Sequence, residues 1–332
     1  MSEALSLNRA AGAPLSARLA AMPGIAWTLS LLILGFALLA PGFLSLPNLS
    51  NIGVQSTLLL LLALPMTLII MTEGLDLSMG AVLSLCTVSL ALVNIGTGSL
   101  GLALLAALAA GLLFGLLNGL LVARLELPPF VVTLGTLGAA QGVSLVLSDG
   151  RNTVGVDAAL RAAYDAMLLG IPAPVWLGAL AYALMHVLLY HTRFGTYVFA
   201  LGGNREALRL RGVRATLVLT LVYVLGEACV ALASVLMSAR INGGHPMAAV
   251  GMEFDAIAAV VVGGTAFERG KGWLFGSLLG VIAIRSLRGQ PVPKELVFPA
   301  TVINKSNYQP LDVPANKLSC PKWENVPGLP KA

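Results

Sequence analysis

The sequence predicts an all-α, polytopic transmembrane helical bundle of about eight spans plus a half-helix, followed by an irregular C-terminal tail outside the membrane. Three observations carry that prediction. First, of 332 residues 57% are hydrophobic and only 11% charged, with a mean hydropathy of +0.88. A soluble globular domain carries about 25% charged residues, so a soluble α/β enzyme with a rich core is set aside. Second, apolar runs recur at about the 20-residue length that crosses hydrocarbon. Third, the basic residues gather in a few of the loops between those runs, which is how membrane proteins set their orientation. The formal net charge of +5 belongs to that topology. No basic run interleaved with aromatics appears, so no nucleic-acid partner is expected.

The first apolar run, 25–44, follows Arg9 and Arg18 and is long enough to span. It reads as an uncleaved first helix, not a signal peptide. Spans 54–71, 79–95, 101–122, 128–147, 175–190, 216–238 and 273–284 follow. A further piece, 254–264, is too short to cross alone and reads as the half-helix. With a cytoplasmic N-terminus, the inside segments are 1–24, 72–77, 123–127, 191–215 and 266–272. They hold Arg9, Arg18, Arg124, Arg193, Arg205, Arg209, Arg211, Arg214, Arg269 and Lys271. The outside segments 45–53, 96–100, 148–174 and 239–253 hold only Arg151, Arg161 and Arg240. The expected organisation is a cytoplasmic segment 1–24, a membrane domain 25–284 and a polar tail 285–332.

Four segments interrupt the hydrocarbon character. Gly74-Leu75-Asp76-Leu77-Ser78-Met79-Gly80 puts a carboxylate and two glycines between apolar runs. Ionisable groups at membrane depth are costly and pair or line cavities. Asp76 and Ser78 are therefore candidates for a substrate pathway, with helix capping by Asp76 the favoured alternative. In the second, Pro128 and Pro129 open a helix that carries Thr133, Thr136 and Gln141. These either face a path for a polyol or, for the threonines, bond back to their own helix. Asn118 joins the same set of candidates. The third is a basic loop, Arg193–Tyr197 and then Gly202, Gly203, Asn204, Arg205 and Glu206, through Arg209, Arg211 and Gly212 to Arg214. Asn204 would cap a short amphipathic helix from Arg205 to Arg211 that Gly212 ends. Such a helix either docks on a soluble partner or only anchors the chain. The fourth, Glu253 to Thr265, places acidic residues at the positive end of the half-helix.

Glycines recur every fourth residue at Gly111, Gly115 and Gly119 and again at Gly272, Gly276 and Gly280. Such faces let helices approach closely; they are either ordinary packing or a trace of repeated transporter architecture. Cys86, Cys229 and Cys320 form no C-x-x-C pair, and His186, His191 and His245 are scattered. No metal site, cofactor or catalytic residue is expected. The Gly264–Lys271 stretch lacks Walker A spacing, so ATP hydrolysis would fall to a separate subunit.

Taken in order, Gly74–Gly80, Pro128–Thr136, Arg193–Ala207 and Asp255–Thr265 resemble the ribose-type sugar ABC transporter permease family, over roughly residues 25–284. The resemblance implies a permease subunit of an ATP-driven monosaccharide importer in the bacterial inner membrane. It implies a second permease subunit (homo- or heterodimer), a cytoplasmic ATP-binding subunit, a periplasmic sugar-binding protein and surrounding membrane lipid. It also implies that the loop Gly202–Gly212 contacts the ATPase. The pattern departs from the family after about Arg285, where further apolar sequence would continue. Instead Gly289–Asn307 resembles the end of a periplasmic sugar-binding protein. The tail is too short to hold a core. Loose structure is expected after about residue 290, as though two neighbouring transporter genes were joined and the last permease helices lost. Two other functions stay open. One is an ion-coupled secondary transporter using Glu227 or Asp255; the other is a truncated, non-transporting membrane protein.

Overall fold

The computed structural model describes residues 24–40, 42–267 and 270–288. The chain divides into one unit, Met1–Pro291, and a second, Val292–Ala332. The expectations for residues 1–23, Arg269 and the tail past Arg288 lie outside the described residues.

The described chain is helical almost throughout. The elements are α1 (Gly24–Leu39), α2 (Leu46–Met71), α3 (Met79–Thr97), α4 (Leu100–Ala123), α5 (Pro129–Leu147), β1 (Thr153–Val154), α6 (Ala158–Asp165), β2 (Met167–Leu168) and β3 (Ile171–Pro172). They continue with α7 (Ala173–His191), α8 (Arg193–Gly203), α9 (Arg205–Leu210), α10 (Ala215–Ile241), β4 (Gly243–Gly244), α11 (Met252–Val262) and α12 (Leu274–Arg288). Six of these, α2, α3, α4, α5, α7 and α10, are long and apolar enough to cross a membrane, and α1 and α12 are shorter apolar helices. Together with the half-helix α11, this is the predicted bundle.

The layering follows from the sequence. Helix α2 is apolar on every side, which marks a fully enclosed helix, and it is buried continuously from Leu58 to Met71. It packs against α7, α10, α11 and α12. Helices α4, α5 and α7 instead present Leu105, Leu113, Val131 and Leu184 outward, the faces that hydrocarbon would cover. The first glycine row lies along α10: a Cβ at Gly111, Gly115 or Gly119 would stand 2.7 Å from Glu227 O, 2.9 Å from Val224 Cα or 2.9 Å from Thr220 Cα. The second row meets α11, with Gly276 against Gly263 O and Gly280 against Ala259 O. Thr67 and Ser277 hydroxyls, 2.8 Å apart, tie α2 to α12.

Some limits differ from expectation. Helix α2 begins at Leu46, inside the segment 45–53 read as a loop. Pro47 suits its first turn, and the neighbouring Asn48 Nδ2 donates to Phe43 O at 2.7 Å. The polar residues that masked this turn thus hold it in place. Helix α1 ends at Leu39 instead of 44, with a turn carrying Gly42 at φ +84°. Helix α12 continues to Arg288, four residues into the expected tail. The long loop 148–174 holds unexpected structure. Thr153 and Val154 pair antiparallel with Gly244 and Gly243, Met167 and Leu168 pair with Pro172 and Ile171, and Asp157 Oδ1 caps α6 by accepting from Ala159 N at 2.8 Å.

Candidate functional site

The connections 72–78, 124–128 and 192–214 all meet at one end of the bundle, and the site begins there. Helix α2 closes tightly: Thr72 N donates to Leu68 O at 3.1 Å and Gly74 N to Ile69 O at 2.9 Å, with Glu73 at φ +60°. The chain then runs without regular structure to α3, yet Asp76 and Ser78 are fully buried. A backbone break inside a bundle must find polar partners, and here neighbouring helices supply them.

Asp76 Oδ1 accepts from Ser78 N at 2.9 Å and from Ser78 Oγ at 2.6 Å. This local turn of side chain onto backbone positions Ser78, the N-cap residue of α3. From α4, Asn118 Nδ2 donates to Ser78 Oγ at 2.9 Å and reaches Asp76 Oδ2 at 3.4 Å. From α5, Thr136 Oγ1 donates to Asn118 Oδ1 at 2.7 Å, and Thr133 Oγ1 lies 3.2 Å from Leu75 O. Both threonines also approach carbonyls of their own helix, Thr133 at Pro129 O (2.9 Å) and Thr136 at Thr133 O (3.2 Å). The fold thus brings together five of the six pathway candidates. Gln141 lies apart, its amide donating to Pro246 O at 2.7 Å.

Two residues of α10, one turn apart, complete the layer. Glu227 Oε1 is 3.3 Å from Ser78 Oγ. Tyr223 is fully buried, and its hydroxyl would stand 2.7 Å from a Cβ at Gly74. Neither Glu227 Oε2 nor the Tyr223 hydroxyl has a hydrogen-bond partner among the described residues. The signal for this pair was a carboxylate in the middle of a 27-residue apolar helix with a tyrosine four residues before it. Tyr223 also lines a cavity of about 230 Å³, together with Thr72, Gly74, Glu126, Pro128 and Arg205.

The basic loop forms helices where the spacing predicted. Asn204 Oδ1 caps α9 by accepting from Ala207 N at 2.9 Å, and Gly212 ends the turn at φ +75°. Gly202 sits against Met71 O and the backbone of Gly270, while Gly203 has open space around it. Arg209 donates to Glu126 Oε1 at 2.7 Å and also lies 3.8 Å from Glu206. Arg205 donates to Ala123 O at 3.1 Å and stands 3.8 Å from Glu126. Glu126, absent from the expected site, is therefore the acceptor that joins α9 to the α4–α5 turn. The Arg209 guanidinium holds its carboxyl below the ordinary range. Among the described residues no group of His, Cys, Asp or Glu could hold a metal ion.

The profile of the family described as "branched-chain amino acid transport system / permease component" matches residues 48–289. The chain is 37% identical over 251 residues to the ribose import permease protein RbsC of Escherichia coli K12, covering 74% of this chain and 78% of that protein. It is 36% identical over 261 residues to its namesake in Bacillus subtilis 168, covering 78% and 81%. The D-allose transport system permease protein AlsC of E. coli K12 is 32% identical over 266 residues, 80% of this chain and 82% of that one. No solved structure matches. With apolar helices of spanning length, a polar break held inside them and this likeness over most of its residues, the chain belongs to the family of transport-system permease components and is a multi-pass membrane protein.

Proposed function

We propose that this chain is the membrane permease of an ATP-driven importer for a monosaccharide, working in the bacterial inner membrane with its N-terminus in the cytoplasm. The observation that supports this reading is the contact between α9 and the α4–α5 turn. A short, charged helix outside the bundle is clamped by Arg205 and Arg209 to Glu126, two residues before the prolines that begin α5. Helix α5 in turn carries the threonines that reach the buried break. A push on α9 from a soluble partner thereby has a mechanical route into the membrane. The chain supplies no ATPase motif of its own, so a separate ATP-binding subunit delivers the push and no covalent chemistry occurs here. A second permease copy or a paralogue completes the pathway, and a periplasmic sugar-binding protein delivers the cargo. Relatives named for ribose and D-allose support a sugar as that cargo.

Asp76, Ser78, Asn118 and Thr136 spend their hydrogen bonds largely on one another, and the Thr133 hydroxyl spends its own on the carbonyls of Leu75 and Pro129. In this reading they fix the shape of the break beside the pathway and do not grip the sugar. Gln141 acts at the opposite end. The test is reconstitution in vesicles with the ATPase and binding protein of the same system. Labelled ribose or allose should accumulate only with ATP. Uptake that follows an ion gradient without the ATPase would point to a secondary transporter, and normal insertion with no uptake to an inactive protein; either result refutes the proposal.

A further inference from the structure

Two carboxyl groups share one buried hydroxyl inside this bundle. Asp76 and Glu227 are fully buried and meet at one hydroxyl. Ser78 Oγ stands 2.6 Å from one and 3.3 Å from the other. Among the described residues no Lys, Arg or His nitrogen comes within 4.0 Å of either. The titratable groups facing the pair are Tyr223 on the same helix, Cys86 from α3 and Cys229 from α10. Helices α4 and α5 contribute Asn118, Thr133 and Thr136, which carry no charge, and α2 contributes apolar Ile69 beside Gly74 and Gly226.

Removing one charge from water is costly, and two like charges in contact are worse. Asn118 and Ser78 together donate to Asp76, which suits it as the ionised partner. Glu227 Oε2 accepts from nothing among the described residues. A proton on the pair removes one of two like charges that share the Ser78 hydroxyl. We propose that Asp76 and Glu227 bind a single proton between them, making the α2–α3 break and α10 a proton-binding site. Tyr223 is its way in and out. It lines the 230 Å³ cavity, and its hydroxyl, without a hydrogen-bond partner among the described residues, lies beside Gly74, two residues before Asp76. When the proton leaves to water in that cavity, the pair gains a second negative charge and α10 is driven from the break. The bound proton is thus a latch on the closed bundle. The proposal holds whatever the cargo is.

Infrared spectroscopy of the full chain in detergent at neutral pH tests it. A carbonyl stretch of a protonated carboxylic acid, shifted by D2O, is expected. It should vanish in Glu227→Gln, whose amide imitates the protonated acid. It should persist in Glu253→Gln and Asp255→Asn, the other buried carboxyls of the half-helix. Tyr223→Phe should slow its hydrogen–deuterium exchange tenfold or more. If Glu227→Gln does not fold, the wild-type band and its survival in the Glu253 and Asp255 variants decide the matter. The proposal fails if the wild type shows no such band, or if the band belongs to Glu253. It fails equally if sodium in place of choline removes the band, because the occupant is then a metal ion.

Discussion

Glu126 occupies a turn at φ +54° outside any helix, and two arginines from a helix some eighty residues away converge on it. It is exposed, so the pair adds little to stability; its value is to fix α9 on α4–α5. The Arg209 guanidinium lowers the Glu126 pKa from its ordinary 4.5. The contact therefore persists through neutral pH and is lost only as acidification passes below that value, where the carboxyl protonates. Glu126→Gln should leave the unfolding temperature nearly unchanged while ATP-driven uptake drops several-fold and ATP hydrolysis continues; an equal fall in both would remove the coupling role. Asn118→Ala should act oppositely. It strands Thr136, Ser78 and Asp76 without their shared partner, at a cost of about 1–3 kcal/mol, visible in thermal unfolding in detergent. Asp76, Ser78, Asn118 and the two threonines were legible in the sequence because polar residues in apolar runs stand out. The partnership of Glu227 with Ser78 was not, because it joins positions 149 residues apart and no local pattern encodes which helices face each other. Tyr223 is equally hidden, because an aromatic in an apolar helix reads as packing.

The seam between α4 and α10 offers a sharper test of packing than any single side chain. A methyl at Gly115 would meet Val224 Cα at 2.9 Å and Tyr223 O at 3.0 Å, both backbone, and neither can swing away as a side chain would. Gly115→Ala should cost about 1–3 kcal/mol of stability. Gly138→Ala, on an exposed face with nothing within 4 Å, should be neutral or stabilise by up to about 1 kcal/mol through helix propensity. Thermal unfolding of the two variants side by side checks the contrast. The four-residue glycine rows were readable in advance, but their partners, α10 and α11, were not. Helix limits were readable wherever hydropathy changes abruptly. They are hidden at Leu46, where Asn48, Ser50 and Asn51 dilute the signal, and in the two-residue strands of 148–174, of which β1 exists only through its pairing with distant Gly243 and Gly244 and β2 and β3 are too short to show a period.

At the scale of the whole molecule, the basic residues mark one end. Arg124, Arg193, Arg205, Arg209 and Arg211 belong to the connections at the end holding the cavity, whereas Arg151 and Arg161 in the 148–174 connection and Arg240 in the last turn of α10 belong to the other. Cysteine introduced in place of Arg211 should react with a membrane-impermeant reagent only from the cytoplasmic side, and one in place of Arg151 only from outside. The reverse pattern would invert the topology. The fold class was the most legible feature of all, since hydrocarbon-length runs need no knowledge of tertiary partners. Finally, helices α4 and α10 touch backbone to backbone along three glycines, with no layer of side chains that could change rotamers to let them slip. They must travel as one plank. Any bending about it falls to the connections at one of the plank's ends, where Glu126 and Gly212 already hold left-handed backbone.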